Sequence, residues 1–255
     1  MKKFIISILG RQFILVKYLA TLKNSLEKII KIVPLLKSNK LKFILKIISS
    51  QHYFEFNAHL NKEIKKSIKK YQFSYNDWFK HNVNIWRNYL TELKEIKYLE
   101  IGTFEGRSAV FMGELPNIKE ITCVDTFKGS DEHNNIDFET VYKNCLENLN
   151  NLSIPHNLIK DKSDNFFKNN NKKFNVIYID GSHFYDDVKK DFLNSFKCLE
   201  DGGILICDDF YWFFYKKIDQ NPISAIIESY EILKKNLDIL FVHHQIIFRK
   251  KKRTL

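Results

Sequence analysis

The chain has 255 residues, enough for one sizeable α/β core plus an appendage. Its formal charge of +11 is uneven: residues 1–70 hold 16 Lys/Arg against Glu27, Glu55 and Glu63, while residues 71–255 hold 25 basic and 27 acidic side chains. The larger part is therefore not a basic protein and nucleic-acid binding need not be invoked; the four cysteines lack C-x-x-C spacing and read as buried free thiols in a reducing cytoplasm rather than as disulfides or zinc ligands.

Residues 1–70 form a basic, amphipathic helical extension, and residues 71–255 the main domain with a helical lead-in over 71–95. In residues 1–48 no uncharged apolar run approaches the ~20 residues that span a bilayer. Lys2-Lys3 before Phe4–Leu9 resembles a signal peptide, but the apolar run stops at Arg11 with no cleavage site. Leu22, Leu26, Ile29, Ile30 and Val33 share one helical face, and Pro34 ends or kinks that helix. Two readings stay open: a segment lying peripherally on an anionic membrane, or a cap packed on the domain or on a second subunit. Residues 50–95 read as helical and aromatic-rich, with Trp78-Phe79 and Trp86 just ahead of the first core strand. They either pack on the sheet edge or close over a cleft.

The next stretch, LEIGTFEGRSAVFM, passes from a buried strand (97–101) through a turn carrying Gly102 and Gly106 into a helix from Ser108. The unpaired N–H groups of the helix start face the turn, which makes a nucleotide-binding corner. No G-x-G-x-x-G triplet cradles a pyrophosphate, and Glu100, two residues before the first glycine, suits a cationic ligand such as an ammonium or sulfonium. The stretch resembles motif I of class I S-adenosylmethionine-dependent methyltransferases. The resemblance implies cofactor contacts from Glu100, Gly102, Thr103, Phe104, Glu105, Gly106 and Ser108.

Strand-like runs follow at 120–125, 156–160, 174–180, 203–208, 237–243 and 245–250, with helical stretches at 107–115, 136–150, 163–169, 184–199 and 222–236. Such alternation predicts an α/β, doubly wound parallel sheet. Only the His243-His244 region separates the last two runs, too short for a crossover, so they form a hairpin. The resemblance implies a Rossmann-like seven-stranded sheet in the order 3-2-1-4-5-7-6, with the last strand antiparallel.

Ligands in open α/β sheets bind beyond the carboxyl ends of the strands. The second strand ends at Asp125-Thr126-Phe127, and a carboxylate 23 residues after Gly102 can accept ribose hydroxyls. After the third strand, Lys162 and Ser163 pass the adenine edge; Ser163 bonds the cofactor, caps the next helix, or does both. The fourth strand runs into Asp180-Gly181-Ser182-His183 and the fifth into Asp208-Asp209. Three carboxylates at adjacent strand ends repel one another unless a cation or shared proton intervenes, and an all-oxygen set suits Mg²⁺ or another divalent cation. These segments, with Cys123–His133, resemble a subgroup that includes macrocin-type sugar O-methyltransferases (methyltransferase domain family 24). In that subgroup matching acids hold a metal that grips two substrate hydroxyls, which implies Asp180, Asp208 and Asp209 as ligands. The alternative is that Asp180 orients cofactor or acceptor while Asp208 and Asp209 cap a loop.

The expected reaction is O-methylation of a small hydroxylated acceptor, a sugar or glycolipid head group. Asp180 and His183 are the competing general bases. Tyr211-Trp-Phe-Phe-Tyr215 stacks on the acceptor, forms a lid or makes a dimer contact. Two other readings are a metal-dependent oxygenase-like relative, which needs two His and a carboxylate, and a non-catalytic cofactor-binding module tethered by the basic N-terminus.

Overall fold

The computed structural model describes residues 19–57, 70–129, 133 and 135–252. Lys2-Lys3 with Phe4–Leu9, and Asp131-Glu132 of the Cys123–His133 segment, lie outside the described residues.

A seven-stranded sheet in the order β3-β2-β1-β4-β5-β7-β6 carries the domain. The strands are β1 (Ile96–Ile101), β2 (Ile118–Asp125), β3 (His156–Lys160), β4 (Phe174–Ile179), β5 (Leu199–Cys207), β6 (Leu237–Val242) and β7 (Ile246–Lys250). The first five pair in parallel, and β7 runs antiparallel to both β5 and β6. The expected order and hairpin are therefore observed.

Helices cover both faces. Residues 19–32 form α1, followed by α2 (Lys40–Asn57), α3 (Val83–Leu90), α4 (Arg107–Gly113) and α5 (Phe138–Asn150). After them come α6 (Ser163–Asn169), α7 (Tyr185–Cys198) and α8 (Pro222–Leu233). Side chains alternate along each strand. Leu99, Ile101, Ile177, Ile179 and Leu205 enter one apolar core, while Tyr98, Val176, Tyr178, Ile204 and Ile206 enter the other. Burial on both sides explains why the central strands read as continuous apolar runs. All four cysteines are buried and free.

Two expectations are corrected here. Residues 71–82 are an irregular strap, and only Val83–Leu90 is helical in the lead-in. The strap's N–H groups find side chains instead of helix carbonyls: Gln72 donates to Asn148 Oδ1 at 2.7 Å, and Ser74 and Tyr75 donate to the Glu105 carboxylate at 2.6 and 3.1 Å. The shared apolar face of the first helix is also split. Of its residues Ile29 packs half-buried against the core while Leu26 and Ile30 are exposed, and the fully buried residue is Ile32, off that face, which joins Leu36, Phe43 and Ile47 in the core that holds Leu99. The side of α1 that meets the domain is the one carrying Thr21, Ser25 and Ile32.

Candidate active site

The corner after β1 is held by backbone. Gly102 donates its N–H to the Val124 carbonyl at 2.8 Å, and Asp180 donates to the Ile101 carbonyl at 2.8 Å. These bonds continue two strand pairings past the sheet and draw three strand ends together. Gly102 has φ +83°, and a Cβ there would lie 2.1 Å from the Asp180 carbonyl oxygen. Only glycine satisfies both conditions. Gly106, with φ +79°, is the N-cap of α4.

Asp125 then ties the corner to the second strand. Its Oδ2 accepts the N–H groups of Thr103 and Phe104 at 2.8 and 2.9 Å, and its Oδ1 accepts that of Phe127 at 2.7 Å. A cleft of about 1230 Å³ opens above these groups and runs from Asp125 to Asp180 and Asp209. Of the residues expected at the cofactor, Gly102, Thr103, Phe104, Glu105, Ser108, Asp125, Thr126, Lys162, Ser163, Asp180 and Gly181 line it. Glu100, Gly106 and Phe127 are not part of its wall, and Glu100 is fully buried.

The two glutamates of the corner have inward duties. Ser108's hydroxyl donates to Glu100, and burial pushes that carboxyl up to about 8, so it has little charge to offer a cation. Glu105 lines the cleft, but its oxygens are taken by Ser74 N–H, Tyr75 N–H and Asn144 Nδ2, the last at 2.8 Å. It fastens the strap to the corner. The strap in turn supplies Tyr75, Trp78 and His81 to the cleft wall, with Trp78 and Phe104 ring centroids 5.3 Å apart. Trp86, by contrast, is buried in the core. Ser163 is not the cap of α6; Lys162 holds that position, and Ser163 lines the cleft.

At the other end of the cleft, Asp180, His183 and Asp209 each offer one ligand atom, all within 4.8 Å of one another. His183 Nε2 lies 2.7 Å from Asp209 Oδ2. Asp208, expected in this group, lines the cleft but is not among these ligands: one carboxylate oxygen bonds Tyr178's hydroxyl and, at 2.8 Å, accepts from Gln245 Nε2, and the other accepts the Asp209 N–H at 2.8 Å. Burial, then the charge of Asp209, pushes Asp208 up to about 6. Burial, then the charges of Asp208 and Asp209, pushes Asp180 well above the usual carboxylate range. Crowded acids with raised proton affinity are what a bound cation relieves, so Asp180, His183 and Asp209 fit a divalent metal. The group contains one histidine, short of the two that an oxygenase-type iron site requires.

Sequence reasoning missed Tyr178 and Gln245. Tyr178 OH lies 2.8 Å from Asp180 Oδ2 and also bonds Asp208, so its single O–H and a proton on one of these acids link the two carboxyls. Its position two residues before Asp180, on the same side of the strand, is the signal that was available. In the aromatic run after β5, Trp212 lines the cleft with its ring centroid 4.4 Å from that of His183, while Phe214 is exposed.

The sheet order, with the glycine corner and the acids at the strand ends, is the Rossmann-like methyltransferase fold. Residues 99–210 match the family model described as a methyltransferase domain. Over 125 residues the chain is 28% identical to uncharacterized protein R132 of Acanthamoeba polyphaga mimivirus, a match covering 47% of this chain and 53% of that protein. The chain thus spans about half the length of this curated relative. An O-methyltransferase from Bacillus cereus, crystallised with SAH, superimposes with a TM-score of 0.52 at 12% identity, covering 80% of this chain and 97% of that one. TomG from Streptomyces achromogenes, an O-methyltransferase of tomaymycin synthesis in complex with SAM, gives 0.50 at 9% identity, covering 80% and 96%. At such identities the likeness is one of fold.

Proposed function

We propose that this protein transfers the methyl group of S-adenosylmethionine to a hydroxyl of a small acceptor, a sugar or glycolipid head group. The observation that carries this reading is the opening of the Gly102–Asp125 corner and the Asp180/His183/Asp209 group into one cleft. The corner receives the donor and the acid–histidine group receives the acceptor, so the cleft holds the two in line.

Asp125 receives the ribose: its oxygens offer about four acceptor positions, of which backbone N–H groups take three. Trp78 and Phe104 form the apolar wall beside it. Because Glu100 faces away from the cleft, the negative field at the sulfonium comes from Asp125.

Asp180, His183 and Asp209 would hold a divalent cation, which when bound lowers the pKa of an acceptor hydroxyl. The 2.7 Å His183–Asp209 pair also supports a metal-free reading, in which Asp209 accepts the His183 Nε2–H and orients the ring, and Nδ1 is the nitrogen that takes the acceptor proton.

Calorimetric titration with S-adenosylmethionine, then labelled methyl transfer to a panel of hydroxylated metabolites with and without EDTA, tests the proposal. Binding with turnover is expected. Loss of turnover in EDTA, restored by Mg²⁺, supports the metal reading, and insensitivity supports the histidine base. A folded protein that binds neither the donor nor its demethylated product sinks the assignment. Binding without turnover on any acceptor points to the non-catalytic module.

A further inference from the structure

The N-terminal helices α1 and α2 are joined by a short connection, and Lys28 on the first bonds Gln51 on the second. They therefore lie side by side as a hairpin, its inner face in the domain core through Ile32, Leu36, Phe43 and Ile47. The opposite face is unusual. On α1, Leu19, Leu26 and Ile30 recur at helical spacing, and Ile30 is 70% exposed. On α2, Leu41, Leu45 and Ile48 do the same, with Leu41 at 69% and Leu45 at 58%. Leu19, Ile30, Leu41 and Leu45 each stand two residues, about 200° of helix rotation, from a core-facing position (Thr21, Ile32, Phe43 or Ile47). Of the twelve exposed large apolar side chains among the described residues, six sit on this one hairpin.

Charge says what this face meets. Lys23, Lys31, Lys37 and Lys40 are exposed around the apolar ridge, Lys42 pairs with Asp238 at 3.3 Å, and Glu27 is the one acid among residues 19–48. The preceding residues 1–18 add Lys2, Lys3, Arg11 and Lys17 to the sequence with no acid. A second protein copy would bring the same cations against these, a like-charge opposition that disfavours pairing. Apolar side chains rimmed by lysine match the boundary between acyl chains and anionic head groups. Among the described residues no helix is long and apolar enough to cross a membrane, so contact is in the plane of the surface.

We propose that the outward face of the α1–α2 hairpin docks this protein peripherally on an anionic lipid bilayer. Leu26, Ile30, Leu41, Leu45 and Ile48 enter the interface and the surrounding lysines pair with lipid charge. The proposal stands apart from the proposed reaction, because donor affinity measured without vesicles reads the latter separately.

The test is co-sedimentation of the full chain with phosphatidylcholine vesicles, with and without phosphatidylglycerol, at low and high salt. Two double variants accompany it, Leu26→Glu with Leu45→Glu and Lys23→Glu with Lys40→Glu, both confined to exposed positions. Binding to the anionic vesicles is expected to be at least about tenfold stronger than to the neutral ones. High salt should weaken it, and each variant should lose it at unchanged melting temperature. No pelleting, pelleting indifferent to lipid charge, or pelleting that both variants retain would overturn the proposal. So would a concentration-dependent dimer, seen by sedimentation velocity, that both variants dissolve.

Discussion

Asp209 presents its carboxylate to His183 at 2.7 Å from a backbone held at φ +53°. A non-glycine residue in the left-handed region is strained, and such strain persists where surrounding bonds enforce it. Here the Asp208 side chain accepts the Asp209 N–H, and the Asp209 carbonyl accepts the Trp212 N–H at 2.9 Å. The pair is thus aimed by its neighbours, and it faces the cleft.

Replacing either partner should therefore separate chemistry from binding. His183→Ala and Asp209→Asn are each expected to lower turnover by about 10²–10⁴-fold. Donor affinity should stay within about threefold, since the Asp125 corner is untouched. Single-turnover methyl transfer beside calorimetry reads the two effects, and near-normal turnover in His183→Ala would remove His183 from the chemistry.

Two glycines of the cleft should behave oppositely. At Gly102 a Cβ lies 2.1 Å from the Asp180 carbonyl oxygen, at φ +83°; at Gly181 the nearest atom is Ile101 Cγ2 at 3.5 Å, an ordinary contact. Gly102→Ala should lose about 3 kcal/mol or more of stability, together with donor binding. Gly181→Ala should stay within about 1 kcal/mol in chemical denaturation.

Glu100 makes the free protein's stability fall as pH rises. Its carboxyl titrates near 8 when buried, against an ordinary value of 4.5. Between those values the native state binds more protons than the unfolded state, so unfolding free energy decreases with increasing pH. At 1.36 kcal/mol per unit the loss by pH 7 is of order 3 kcal/mol. Glu100→Gln keeps the shape and removes the titration. Its melting temperature is expected to vary less than that of the parent between pH 5 and 8, and equal slopes would contradict the assignment.

Gln245 joins three buried groups: its Oε1 accepts Trp86 Nε1–H at 2.7 Å, and its Nε2 donates to Asp208 at 2.8 Å and to the Tyr178 hydroxyl at 3.2 Å. Gln245→Leu leaves the indole N–H and the Asp208 carboxylate without this partner, and a loss of about 2–4 kcal/mol is expected. Turnover should also fall, because Tyr178 and Asp208 position Asp180. Urea denaturation with a parallel activity assay checks both parts.

Reading the chain in order located all seven strands and the five helices from residue 107 onward, because their signals are local. The apolar run of β4, the glycines of the corner and Pro222 at the start of α8 act within a few residues of chain. The same local logic put Asp125, Asp180 and Asp209 at strand ends. It did not find the strap at 71–82, whose N–H groups are taken by Glu105 and Asn148, 30 residues and more away in sequence.

What the sequence by itself determined is the order of elements and the chemical kinds of side chain at the strand ends. Only the tertiary structure decided which acid is aimed at His183. Asp208 and Asp209 are neighbours in the chain, yet Asp208 points to Gln245, 37 residues on, while Asp209 points to His183. The same holds for α1 and α2, where Ile32 and Phe43 meet the domain while Leu26 and Leu45 meet solvent. Periodicity specifies that a helix has faces, and packing against distant residues selects which face is buried.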